Sequence, residues 1–184
     1  MGQEIIDTLR AEFSDLGDVA HWTRLLLRLG LATLLGAAIG WERERREAAA
    51  GLRTHMLVAM GTALFVLVPQ QAGVSATDMS RVIQGVVAGV GFLGAGAVIK
   101  QAERGEVHGL TTAAGIWATA AIGVAVGLGR EATAIASTAM VVVILGLLLR
   151  WERRVESADA TRAAPLDGEG APQRALRDDA SRGS

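Results

Sequence analysis

Cysteine is absent from the 184 residues, which removes disulfides, thiolate zinc sites and thiol catalysis and leaves the redox compartment open. Charge of one sign is lacking too: 18 basic against 19 acidic side chains leave a formal net charge of -1. That balance points to neither nucleic acid nor an acidic substrate. No signal peptide is recognisable, since Met1 to Asp18 carries five acidic residues and no continuous apolar core. No catalytic constellation emerges either: there is no Ser/His/Asp set, no metal-spaced His/carboxylate cluster, and no phosphate-cradling loop. Neither an enzyme nor a cofactor is expected.

Long hydrophobic runs are abundant instead. Hydrophobic residues make up 51% and charged residues 20%, and the two are segregated along the chain. From Leu25 to Leu149 the sequence reads as five apolar stretches separated by short polar hinges. Stretches of about 17 to 20 residues match a hydrocarbon layer of ~30 Å at 1.5 Å rise per residue. The expected fold is an all-α membrane protein with spans at Leu25–Trp41, Leu57–Gln70, Val82–Ile99, Leu110–Leu128 and Ala132–Leu149. Residues 1–23 form an amphipathic interfacial segment, with Ile5, Ile6, Leu9, Phe13 and Leu16 at helical spacing. Residues 24–151 form the membrane domain, and 152–184 a disordered cytoplasmic tail of mixed Ala, Gly, Pro, Arg and Asp.

Loop charge sets the orientation. Arg43, Arg45, Arg46, Arg53, Lys100, Arg104, Arg150, Arg153 and Arg154 flank the spans on one side. The opposite connections hold only Arg81 and Arg130, and the N-terminal segment adds Arg10 and Arg24. Excess Lys/Arg stays cytoplasmic, so the N-terminus is expected outside and the C-terminus inside.

Gly36–Gly40, Gly85–Gly89 and Gly123–Gly127 each form a Gly-x-x-x-Gly step in the first, third and fourth spans. Such steps let helix backbones approach closely where no hydrophobic effect drives association. They serve internal packing or a homo-oligomer. The third span holds five glycines between Gly85 and Gly96 and is expected to be a continuous helix rather than a broken one. Within it, Gly89-Val-Gly91-Phe-Leu-Gly94 matches a dinucleotide fingerprint by letters only, because no strand precedes it and lipid surrounds it.

Polar residues at span ends are the remaining candidates. Glu42 is expected to pair with Arg53 or Arg46, with Thr54, Thr111 and Thr112 as hydroxyl neighbours, since an unpaired charge at the bilayer is costly. This pair either fixes helix ends or forms an ion site or a docking surface. Arg81 and Gln84 lie one turn apart, and Asp78 caps that helix or pairs with Arg81. Arg28 is expected to snorkel toward the headgroups. His21, His55 and His108 sit at span edges, where a ring is comfortable and where His55 or His108 could sense pH. Trp22, Trp41 and Trp151 mark interfaces, whereas Trp117 is deeper and expected to pack.

The motif order adds a resemblance. Gly40-Trp-Glu42-Arg43-Glu44-Arg45 is followed by Gly51-Leu-Arg53-Thr54-His55, Ser80-Arg81-Val-Ile-Gln84-Gly85, Gly89-Val-Gly-Phe-Leu-Gly-Ala-Gly96 and Gly109-Leu-Thr111-Thr112-Ala-Ala114. Together these resemble the MgtC/SapB family of bacterial inner-membrane proteins. The resemblance implies a non-enzymatic, multi-pass membrane factor tied to magnesium limitation, acid stress or survival inside host cells. For some members it implies an inhibitory contact with the ATP synthase. Where many members place Pro and Gln, this chain has Met79 and Gly85, with Gln84 one place earlier. The virulence-type members also carry a soluble C-terminal domain, so the likeness is closer to the short SapB-like branch. The expected partners are the bilayer, other membrane proteins and further copies of this chain. The competing reading is a Mg²⁺ or proton-linked transporter, with Glu42, Arg53 and the third-span glycines lining a path.

Overall fold

A computed structural model describes residues 1–12, 19–102 and 109–162, with side chains described for 1–12, 19–99 and 109–146. Its elements are α1 (Gly2–Glu12), α2 (Val19–Glu44), α3 (Leu52–Gln71), α4 (Ala76–Ala102), α5 (Leu110–Gly127) and α6 (Glu131–Arg162). No strand occurs among the described residues. Four helices, α2 to α5, are long and apolar enough to cross a membrane, and Glu131–Gly146 of α6 is a shorter apolar segment. The chain divides after Leu147 into two units. α6 runs to Arg162, past Glu152 where the disordered tail was expected to begin. Phe13, Leu16, Arg104, His108 and the rest of the tail from residue 163 lie outside the described residues, as do the side chains of Lys100, Arg150, Trp151, Arg153 and Arg154.

α3 is the centre of the bundle. It touches α2, α4 and α5, and α5 in turn touches α2 and α4. Helical periodicity places Ala32, Gly36, Ile39, Gly40 and Arg43 on the buried face of α2, and His55, Ala59, Thr62, Ala63 and Val66 on that of α3. Small residues make this possible. A methyl at Gly36 would meet the His55 carbonyl oxygen at 2.5 Å and the Ala59 Cβ at 2.9 Å. From the other side, a methyl at Gly127 would meet the Ala63 carbonyl oxygen at 2.7 Å and the Val66 Cβ at 2.9 Å. Gly40 lies as tightly against Leu52, and Gly123 against Thr62 and Ala59. Backbones approach from both flanks of α3, as interfaces of small residues allow.

α4 is continuous across its glycines, but it uses them differently. A methyl at Gly85 or Gly89 would meet nothing within 4 Å, and only Gly94 packs, against Ala113 of α5. The expectation that Gly85–Gly89 packs helices therefore fails within one chain. Both glycines line an apolar groove of about 590 Å³ between α3 and α4, walled by Leu57, Phe65, Val86 and Leu93. Trp117 also departs from expectation. It is 53% exposed on the outer surface of α5, because tight helix contacts have room for methyls and hydrogens but not for an indole.

Helix ends are closed locally. Ser75 and Asp78 form a reciprocal cap at the start of α4: the Ser75 hydroxyl donates to Asp78 Oδ2 (2.7 Å), and the Asp78 N–H donates to Ser75 Oγ (3.2 Å). Asp78 thus belongs to the cap rather than to Arg81. α3 and α5 stop at the left-handed glycines Gly73 and Gly129. α2 stops the same way at Glu47 (φ 53°), with the Ala48 N–H bonded to the Arg43 carbonyl and the Glu47 N–H to the Glu44 carbonyl.

Candidate functional site

The inward faces of α2, α3 and α5 carry a polar column at the Arg43 end. Arg43 follows Gly36 and Gly40 by seven and three residues, so the helical repeat turns it inward beside them. It is 6% exposed, and its Nη2 donates to Thr112 Oγ1 at 3.2 Å. His55, one turn into α3, is fully buried, with Nδ1 2.8 Å from Thr119 Oγ1. The Thr119 hydroxyl gives its proton to the Gly115 carbonyl at 2.8 Å. The Thr119 hydroxyl is thus shared between the His55 ring and the Gly115 carbonyl. Gly115 makes space for the ring, since a methyl there would lie 3.5 Å from His55 Cε1. Thr112, Gly115 and Thr119 are thus one stripe of α5, spaced three and four residues apart, facing Arg43 and His55 in turn.

Two polar atoms of this column, Arg43 Nε and His55 Nε2, are buried without a hydrogen-bond partner among the described residues. Arg43 makes no ion pair there either. The carboxylates nearby are engaged elsewhere: Glu42 pairs with Arg46 one turn along α2, and Glu44 Oε2 accepts the Leu52 N–H at 2.8 Å, capping α3.

Of the expected cluster, the structure brings Glu42 and Arg46 together and selects Arg46 over Arg53. Arg53 is exposed and makes no ion pair among the described residues. Thr112 faces the interior but serves Arg43 rather than Glu42. Thr111 is exposed and Thr54 half-buried. Arg81 and Gln84 are both exposed at the start of α4, away from Glu42's helix end. His55 is not the edge residue its position suggested. The signal that could have found Arg43 and His55 was present: each continues the stripe of small residues on its own helix.

A second polar knot closes the other end. Arg28 Nη1 donates to Gln70 Oε1 (2.9 Å) and to the Gly127 carbonyl (3.1 Å), and Nε lies 3.5 Å from Glu131 Oε1. Arg28 therefore ties α2 to α3, α5 and α6, where free snorkelling was expected. Its charge sits on the last carbonyls of α5, the negative end of that helix. Between the two knots the interior is mainly apolar: Ala32, Ile39, Ala59, Ala63, Ile122 and Val126 are buried together, and the buried Thr62 hydroxyl is bonded to the Val58 and Ala59 carbonyls of its own helix. Among the described residues no group of three or more His, Cys, Asp or Glu side chains could hold a metal ion.

Comparison with known proteins now has a structural frame. The family model described as "MgtC family" matches residues 29–154, which include the buried residues of α2, α3 and α5. Protein SrpB of Synechococcus elongatus is 46% identical over 143 residues, covering 72% of this chain and 79% of that protein. Protein MgtC of Salmonella typhimurium is 41% identical over 145 residues, 79% of this chain and 58% of that protein. YhiD of Escherichia coli K12, by name a candidate magnesium transporter, is 42% identical over 127 residues, 65% of this chain. The chain spans 58% of the length of the Salmonella and E. coli proteins. No solved structure matches. Apolar helices, small-residue packing and these matches lead to one conclusion: the chain is a membrane protein and belongs to the MgtC family.

Proposed function

We propose that this protein is a non-enzymatic, multi-pass protein of the bacterial inner membrane that acts by contact with other membrane proteins in the response to magnesium limitation or acid stress. The magnesium link comes from the name of one relative, YhiD. α6, apolar over Glu131–Gly146 and helical beyond it, supplies the fifth span. The Arg-rich ends of α2 and α6 lie in the cytoplasm and the N-terminus outside, by the distribution of loop charge.

One observation carries contact over transport. The interior polar groups are gathered in two knots, Arg43–Thr112 with His55–Thr119 at one end and Arg28–Gln70–Glu131 at the other. A buried apolar layer around Ile39, Ala59, Ala63 and Val126 separates them. A cation pathway needs charged or free polar groups through the hydrocarbon layer. Between the knots the described interior holds no charged side chain, and its buried Thr62 and Thr138 spend their hydroxyls on carbonyls of their own helices. α4, by contrast, leaves Phe92 81% exposed two turns along from Gly85, beside the open apolar groove that Gly85 and Gly89 line, a face suited to another membrane helix.

Purified protein in liposomes, loaded with a Mg²⁺ or a pH indicator, tests the reading together with photo-cross-linking in cells from position 92. No flux, with a membrane protein cross-linked to α4 (the ATP synthase is one candidate), is the expected result. Ion flux that disappears in Glu42→Ala replaces this reading with transport.

A further inference from the structure

Positive potential accumulates at the Gly109 end of α5. This helix has 18 residues, and its N-cap, Gly109, makes no side-chain cap. The N–H groups of Leu110, Thr111 and Thr112 therefore begin the helix without an intrahelical acceptor. The aligned peptide dipoles place roughly half a positive charge there. Into the same turn comes Arg43, bonded to the Thr112 hydroxyl at 3.2 Å and 6% exposed. Its Nε–H, buried too, finds no acceptor.

Among the described residues no carboxylate forms an ion pair with Arg43 or caps α5, and the nearby Glu42 is offset by Arg46. Glu44 reaches the start of α3 rather than α5, and Glu42 is held by Arg46. A guanidinium drawn out of water, without a counter-charge and against the positive end of a helix, is strongly unfavourable. An oxyanion between them reverses the sign of both terms, as it does wherever phosphate sits at a helix N-terminus beside arginine.

We infer that Arg43 and the first turn of α5 form a binding site for a phosphate-type oxyanion. The donors suit a tetrahedral anion better than a halide, because a planar guanidinium and successive backbone N–H groups approach from different directions and each needs its own oxygen. Thr112 holds the guanidinium in place. Gly109 lets the ligand approach the backbone without meeting a side chain. The site lies where α2 ends and α5 begins, at the bilayer border in the proposed topology, so the phosphate belongs either to a lipid headgroup or to a soluble ion. The inference does not depend on whether the protein acts by contact or by transport.

The test uses the full chain with two probes. Inorganic phosphate is titrated into protein in a neutral detergent, followed by ³¹P line broadening and the thermal midpoint. In parallel, the protein is placed in phosphatidylcholine nanodiscs with and without phosphatidylglycerol. Saturable binding of free phosphate assigns a soluble ligand, and stabilisation only by phosphatidylglycerol assigns a headgroup; either supports the site. Affinity is expected to fall roughly ten- to a hundredfold in Arg43→Gln, the loss of a charged hydrogen bond, and to stay unchanged in Arg45→Gln. Should Arg43→Gln not fold, Arg43→Lys, which keeps the charge but loses the fork, and Thr112→Val are expected to weaken binding several-fold. No saturable effect of either probe, or equal affinity across these variants, overturns the inference.

Discussion

The α2–α3–α5 trio and α4 carry the same Gly-x-x-x-Gly step and use it in opposite ways. Gly36 and Gly40 on one side, and Gly123 and Gly127 on the other, are sealed against the backbone of α3. Gly85 and Gly89 face open space above an apolar groove. A small-residue step permits close approach without specifying what approaches. The trio is a finished interior, whereas α4 presents an unfinished face. The polar knots divide accordingly: Arg43, His55 and Arg28 all bind between trio helices, whereas Arg81 and Gln84 on α4 are left exposed.

The sharpest way to break this contrast is a large side chain on the sealed side. Gly40→Leu would drive into Leu52, whose Cα already lies 2.7 Å from where a β-carbon would stand. It is expected to cost about 3 kcal/mol or more, measured by denaturant unfolding in mild detergent. An unchanged midpoint would show that the trio is not rigidly sealed. Next comes Thr119→Val, which leaves the buried Nδ1 of His55 without its hydrogen-bond partner. A loss of about 1–3 kcal/mol is expected, and the double variant with His55→Leu should recover part of it.

On α4 the sign reverses. Gly85→Ala and Gly89→Ala meet nothing and gain helix propensity, up to about 1 kcal/mol each. Unfolding should occur at slightly higher denaturant, while cross-linking through position 92 should weaken if a partner helix rides on those glycines. Destabilisation by Gly85→Ala would mean that α4 is sealed as well.

Smallest of all is a comparison of helix stops. Gly73→Ala is expected to cost about 1 kcal/mol, because φ of 75° suits glycine and a methyl there meets nothing. Glu47→Gly relieves the same strain at the end of α2 and should gain between nothing and about 1 kcal/mol, the looser unfolded chain offsetting part of it. Both shifts are readable from thermal midpoints.

Much of this architecture could be read from the chain before folding. α4 runs unbroken through its glycines, as expected, because helical hydrogen bonds are kept and neighbouring helices are few on its open side. Glu42 has one of its two anticipated partners, Arg46, which a spacing of four residues on one helix already places within reach. Asp78 caps, with Ser75 as its counterpart. His55 and Trp117 were misplaced for a common reason. Position along a span reports depth in the bilayer, but burial depends on which side of the helix faces a neighbour. Arg28 was misplaced because its acceptors, Gln70 and the Gly127 carbonyl, are remote in sequence.

Hydropathy and run length assigned this protein to lipid, and residue order alone assigned its family, since both are properties a chain carries into any fold. Which glycines are buried, which arginine is sheltered and which histidine is sealed inside came only with assembly. Those outcomes rest on angles and distances between helices, and a helix acquires them only when its neighbours are in place.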